Sequence, residues 1–132
     1  MRYLLDTHVL LWLLGAPERV GSTVRDALAS KENTLLVSAA CAMEVATKVR
    51  LGRLGGADSL VTSWPARISE IGAQELPISA EHAVLAGSMS WEHRDPFDRL
   101  LVAQALVENV GLVTVDRWIL KFPGVRTLTW ST

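Results

Sequence analysis

Short runs of consecutive apolar residues alternate along this chain with longer stretches whose apolar residues recur at helical spacing. The runs at 2–6, 34–38, 75–78, 111–115 and 126–130 read as strands. Between them the spacing predicts helices over 8–14, 17–31, 39–51, 57–71, 79–91, 95–110 and 117–122. Local signals sharpen several of these. Gly15-Ala16-Pro17 ends the first helix, and Val20, Val24, Ala27 and Leu28 give the second its apolar stripe. Lys48 and Arg50 sit in the last turn of 39–51, where cations suit the helix dipole, and Gly52 closes it. Trp64-Pro65 breaks or resets 57–71, because the ring disfavours αR at the preceding residue. Ser79 and His82 make only half of a capping box, whereas Asp95-Pro96 is a complete helix start.

Strands separated by helices predict βαβ units, hence an α/β fold with a mostly parallel sheet of about five strands covered by helices on both faces. No repeat, low-complexity tract or linker divides residues 1–132, so a single domain is expected. In such sheets ligands bind beyond the carboxyl ends of the strands, where strand order reverses.

That rule gives the acidic residues their interest. Asp6 closes RYLLD, Glu44 lies in the helix after TLLVS, Asp98 lies in RDPFDRLLVAQA, and Asp116 closes LVTVD. Each has a plain structural alternative. Asp6 and Asp116 are suited to capping the helices that follow them, and Asp98 to the first turn of its helix. Glu44 can pair with Lys48 at i,i+4, which contributes only ~0.2–0.5 kcal/mol on a helix surface. Yet a carboxylate at an apolar edge is costly unless solvated, paired or bound to a cation. Gathered by one sheet, these acids call for a divalent ion and read as a metal-dependent nuclease site. Within DPFD, Asp95 is assigned to capping and Asp98 to metal. Thr7 is expected to orient Asp6, and Thr114 lies on the face of Asp116, two residues earlier in its strand.

Composition changes this picture little. Hydrophobic residues at 49% are ample for one core, and a net charge of -1 neither demands nor excludes a nucleic-acid partner. The lone Cys41 cannot form an intramolecular disulfide and reads as a small buried residue in a reducing compartment. Asp6 and His8 interrupt the N-terminal apolar stretch, and 9–14 is far shorter than the ~20 residues a membrane span needs. A soluble cytoplasmic protein with no membrane contact is the expectation.

The segments DTHVLLWLL, SAACAMEVATKVRLGRL, HRDPFDRLLVAQA and LVTVD, in this order, resemble PIN-domain ribonucleases of the VapC toxin type over essentially the whole chain. The resemblance implies an acidic site at Asp6, Glu44, Asp98 and Asp116 with Thr114 in support. It also implies Mg²⁺ or Mn²⁺ as cofactor, RNA as substrate, a homodimer, and inhibition by a cognate antitoxin. Many such relatives carry Trp before the helical Glu, where this chain has Met43, a change of packing rather than of chemistry.

The chemistry agrees with that assignment. A divalent ion supplies a nucleophile near neutral pH and stabilises charge on the phosphoryl oxygens. Asp6, Asp98 and Asp116 are the nearest-shell candidates, and Glu44 either ligates through water or acts as general base. RNA also needs cations outside the acidic cluster. Lys48, Arg53, Arg94, Arg117 and Lys121 lie near the acids in sequence, and Arg50 and Arg99 are chosen as phosphate contacts or supporting partners. His93 is read as a hydrogen-bonding residue at the helix start, and His8 as packing beside Asp6. The helix at 8–14 is apolar all round, beyond what one core-facing stripe uses, so its surplus is either internal or a surface for a second copy or an antitoxin helix.

Other readings remain. An aspartyl-nucleophile phosphohydrolase is suggested by Asp6-Thr7 but wants an acid where this chain has His8. A receiver-like domain lacks its adjacent acidic pair. A catalytically inactive PIN-like interaction domain has to account for the presence of every acid.

Overall fold

The apolar strands find their partners in one another. In the computed structural model, which describes Met1–Thr132, five strands form a wholly parallel sheet in the order β3-β2-β1-β4-β5. The strands are β1 Arg2–Leu5, β2 Thr34–Ser38, β3 Ala73–Leu76, β4 Gly111–Val113 and β5 Thr127–Leu128. The helices are α1 Thr7–Gly15, α2 Ser22–Ala29, α3 Ala39–Arg50, α4 Asp58–Thr62, α5 Trp64–Glu70, α6 Ala80–Ser88, α7 Pro96–Glu108 and α8 Arg117–Leu120. None is long and apolar enough to cross a membrane.

Strand order reverses between β1 and β4, which pair Tyr3 with Gly111 and Leu5 with Val113. These two strands are the most enclosed: Leu4, Leu5, Leu112 and Val113 are fully buried, with Val9, Leu10, Leu101, Val102 and Ile119 packed in the same cluster. Gly111 gives the Tyr3 ring room in this pairing, since a Cβ there would lie 3.1 Å from the ring and press it aside. Just before it, Asn109 takes the left-handed conformation that ends α7. The chain therefore turns straight from α7 into β4 and delivers Thr114 and Asp116 beside Asp6.

Several predicted elements shift. The helix expected over 17–31 is a 3₁₀ turn at Pro17–Arg19 and then α2. Val20 is extended and buried, and Gly21 lies against Trp130, where a Cβ would come within 2.9 Å. The helix over 57–71 divides into α4 and α5 at Ser63 and Trp64. The third strand lies at 73–76 rather than 75–78; it is an edge strand with Gln74 and Glu75 exposed, so it carries no apolar run to read. The half capping box proves complete: Ser79 Oγ accepts from His82 N, and His82 Nδ1 accepts from Ser79 N. His82 Nε2 then bonds Glu108 at 2.9 Å, so the ring fills the role usually taken by Glu or Gln.

The apolar α1 serves two neighbours within its own chain. Val9 and Leu10 enter the main core, Trp12 and Leu13 pack at its edge, and Leu11 and Leu14 meet the smaller cluster of Val45, Ala57 and Leu60. Residues 11–14 stay half-buried.

Arg99 explains why α6 ends early. Its Nε donates to Ala86 O, Nη1 to Trp91 O and His93 O, and Nη2 to Met89 O, at 2.7 to 2.9 Å. This fork pulls the chain out of helix after Ser88 and fixes the loop that leads to α7. Lys has one nitrogen and cannot reproduce the fork. Arg99→Lys should therefore lower unfolding stability by ~1.5–3 kcal/mol, as expected for lost charge-assisted bonds to part-buried carbonyls. Denaturant unfolding of both proteins measures this; equal stability would show that the fork contributes nothing.

Candidate functional site

Asp6 follows β1 and is held in its ladder by Asp6 N donating to Val113 O at 3.0 Å. It is only 5% exposed. Oδ1 accepts from His8 N at 2.9 Å, capping α1, and Oδ2 accepts from Thr114 Oγ1 at 2.5 Å. Thr114 Oγ1 in turn accepts from Asp116 N at 3.0 Å. Its lone pair is thus engaged and its proton is directed to Asp6. One hydroxyl couples the carboxylate after β1 to the backbone after β4, across the point where strand order reverses.

Asp116 caps α8: Oδ1 accepts from Trp118 N and Ile119 N, which leaves Oδ2 unengaged. Asp98 sits in the first turn of α7 behind its cap Asp95, whose Oδ1 accepts from Phe97 N and Asp98 N. Asp98 Oδ2 lies 2.6 Å from His93 Nε2, and Oδ1 is unengaged. Burial pushes the Asp98 carboxyl up to about 6 against the opposing His93 bond, and the charges of Asp95, Asp116 and Asp6 add to the rise. That repulsion places Asp6, Asp98 and Asp116 in one field.

The tightest group is a different one. Ligand atoms of His93, Asp95 and Asp98 lie within 4.8 Å of one another. Of the nearest-shell acids expected from sequence, only Asp98 belongs to it. The hydrogen bond expected of His93 at the helix start is formed, and its partner is the carboxylate of Asp98, five residues on. The signal was the HRDPFD string itself, which sets a ring nitrogen ahead of the helix's first turn.

Glu44 lies on α3, buried, with both oxygens engaged: Oε1 accepts from Thr7 Oγ1 at 2.7 Å and Oε2 meets Lys48 Nζ at 2.8 Å. The i,i+4 pair with Lys48 is therefore formed, and Thr7 supplies the second partner that a carboxylate in apolar surroundings needs. Thr7 was expected to orient Asp6. Its hydroxyl serves Glu44 instead, and Thr114 serves Asp6. Cys41 packs 3.2 Å from Thr7 Oγ1, and burial pushes its thiol up to about 12, so it offers no thiolate to a metal. His8 is raised, chiefly by its hydrogen bond to Asp6, with burial opposing.

Arg50 is exposed at the end of α3. Of the two roles expected of Arg99, phosphate contact or supporting partner, the structure shows the second. Its donors are committed to backbone carbonyls, so it supports the loop that carries His93.

The donors of Asp6, Asp98 and Asp116 are all oxygens, with Asp98 Oδ1 and Asp116 Oδ2 unengaged. Hard divalent ions such as Mg²⁺ prefer this set, and the charges of Asp95, Asp116 and Asp6, which add to the burial-driven rise at Asp98, are what a cation would offset. The chemistry of this donor set suits such an ion, while the group whose ligand atoms already lie within 4.8 Å of one another is His93, Asp95 and Asp98.

The chain belongs to the PIN domain family, which matches residues 3–124. No curated protein matches it. Among solved structures it is similar to VapBC2 from Rickettsia felis bound to a DNA fragment from the promoter, at 19% identity and a TM-score of 0.74, covering 99% of this chain and 100% of that one. It is also similar to DNA-bound VapBC from Salmonella typhimurium, at 18% identity and a TM-score of 0.69, with 99% of each chain covered. FitAB bound to the IR36 DNA fragment shares the fold at 20% identity and a TM-score of 0.66, covering 96% and 94%.

The raised Asp98 carboxyl has a signed consequence. The folded protein holds this proton more tightly than the unfolded chain, whose value is 3.8, so stability falls as pH rises from about 4 through about 6. In chelator, thermal unfolding of the protein should show this decline, and Asp98→Asn should flatten it. An identical pH profile for the two proteins would overturn the assignment.

Proposed function

We propose that this chain is a divalent-metal-dependent endoribonuclease, a toxin of the VapC type restrained by an antitoxin. The observation that carries the reading is the Thr114 hydroxyl, which ties the Asp6 carboxylate to the backbone N–H of Asp116 where strand order reverses, with Asp98 in the same field.

Asp6, Asp98 and Asp116 would hold Mg²⁺ or Mn²⁺. When bound, the ion supplies a nucleophile near neutral pH and stabilises charge on the phosphoryl oxygens. Thr114 fixes the rotamer of Asp6, and the helix N-terminus capped by Asp116 fixes that carboxylate. Asp98 enters the reaction ionised, with its proton lost as pH rises through about 6. Glu44, steadied by Thr7 and Lys48, is the acid suited to orient or deprotonate the attacking water. Arg50, Arg94, Arg117 and Lys121 are exposed and supply positive charge for the RNA backbone. Hydrolysis at an aspartyl nucleophile has less support, because His8 stands where that chemistry wants an acid.

The likeness to VapBC2, VapBC and FitAB supports an antitoxin partner. Met43, 66% exposed and next to Glu44, and the half-buried face of α1 offer apolar surface for an antitoxin helix or a second copy. A cation brought by that helix would compete for the acidic site with metal and RNA.

Purified protein should cleave RNA with Mg²⁺ or Mn²⁺ and stop on chelation while remaining folded; undiminished cleavage in excess chelator would overturn the mechanism. Asp98→Asn should abolish cleavage. Asp95→Asn should retain both cleavage and metal affinity, since Asn caps well. If Asp95→Asn loses metal instead, the ion belongs with His93, Asp95 and Asp98. Thr114→Val should weaken metal binding ~10–100-fold, the usual cost of losing a group that orients a ligand. Calorimetric titration with Mn²⁺ reads these affinities.

For the partners, sedimentation of the isolated protein should show a dimer, and co-expression with the product of the adjacent small gene should yield a stable complex. A monomer that forms no such complex would defeat the toxin reading and leave the nuclease reading standing.

A further inference from the structure

Four rings are arranged beside the acidic site, and the catalytic scheme uses none of them for chemistry. Phe122 meets Trp91 edge-on with centroids 4.9 Å apart, Trp91 meets His93 at 5.0 Å, and His93 stacks on Trp118 at 4.8 Å with only 10° between planes. His93 is the inner member, fixed by its 2.6 Å bond to Asp98 and by the Arg99 fork on its own carbonyl. Trp118 is the outer member. His93 covers one face of the indole, yet the residue remains 49% exposed, so its free area lies away from the stack. Its backbone is equally fixed, because Trp118 N donates to Asp116. The indole is thus anchored to two of the acids at once.

Beside it runs a groove of about 620 Å³ lined by Met89, Ser90, Trp91, Glu92, Trp118 and Lys121. Ligand sites of this size accommodate small molecules of a nucleotide's scale. We propose that the exposed face of Trp118 is a stacking shelf for an unpaired base of the RNA next to the cleaved phosphodiester, an inference that rests on the ribonuclease reading. An aromatic face accepts any base, and its worth is greatest when the ring is immobilised beforehand. Lys121 and Arg117, both exposed, take the flanking phosphates, while Glu92 carries the opposing charge and keeps the backbone to their side. The lining pairs the Trp118 ring with the Lys121 ammonium, the combination that serves a nucleotide's base and phosphate together. The shelf selects for a base out of its stack and contributes no reacting group.

Binding can be separated from cleavage by replacing Mg²⁺ with Ca²⁺ and following the anisotropy of two labelled probes, a single-stranded oligoadenylate and an abasic ribose-phosphate chain of equal length. Trp118→Ala should weaken oligoadenylate binding about 5- to 150-fold, the range that base–aromatic stacking gives. Trp118→Phe should restore most of it, and the abasic chain should bind wild type and Trp118→Ala alike. Equal oligoadenylate affinity for wild type and Trp118→Ala overturns the shelf and leaves the ribonuclease reading intact. So does an equal loss for both probes, which would mark a general disturbance of α8. Unchanged RNA binding with altered sedimentation would make Trp118 a protein contact and also overturn it. Wild-type protein that binds neither probe would remove the ribonuclease reading and the shelf together.

Discussion

Like charges crowded at the rim of a dry core are the constraint around which this molecule is organised. Asp6 is nearly inaccessible, Asp98 is held up to about 6, and Asp95 and Asp116 act on the same field. Such a group persists only if each carboxylate has donors of its own. Here the donors are largely backbone N–H groups at helix starts: α1 for Asp6, α7 for Asp95 and α8 for Asp116. A helix N-terminus favours anions, and it provides that help without introducing a competing cation. Capping and metal binding are therefore not rival explanations of these acids. The cap engages one oxygen and fixes where the other points.

The two threonines divide the remaining work by topology. Thr114 follows β4 and reaches sideways to Asp6 on the neighbouring strand, while Thr7 opens α1 and reaches across to Glu44 on α3. Parallel pairing of β1 with β4 makes the first contact, and packing of α1 on α3 makes the second. A slip of one residue in the β1–β4 register would turn Thr114 to the other face of the sheet and uncouple the acids. The register is secured by the buried pairs Leu4 with Leu112 and Leu5 with Val113, and by the Tyr3 ring seated on Gly111.

What the sequence made legible follows the same division. Buried strands announce themselves by unbroken apolar runs, so β1, β2 and β4 were readable, along with the acids that end β1 and follow β4. The edge strand β3 lies two residues earlier than the pattern predicts because its central Gln74 and Glu75 face solvent and leave only Ala73 and Leu76 against the core. Interactions between elements were harder. Nothing in THV or VTVD says which threonine serves which acid, since that depends on strand order. Arg99 leaves two readings open in the sequence for a related reason: an arginine beside an acid suits a phosphate or a supporting role until the carbonyls of a distant loop are seen to converge on it. The capping box of Ser79 and His82 reads as only half formed in the sequence because the usual residue at its second position is Glu or Gln.

The Arg99 fork also connects the fold to the site in a way no single element does. It gathers carbonyls from the end of α6 and from the loop before α7, and in doing so it holds Trp91 and His93 in place. His93 then meets Asp98 on one edge and Trp118 on one face, and Trp118 grows from the helix that Asp116 caps. The loop 89–95 is thus braced at both ends by groups belonging to the acidic cluster or supporting it. A segment without regular structure would otherwise be the most mobile part of the rim. Its immobilisation by a charged fork and a stack of rings means that the geometry of Asp98 is set from outside its own helix, by residues as far back in the chain as Ala86.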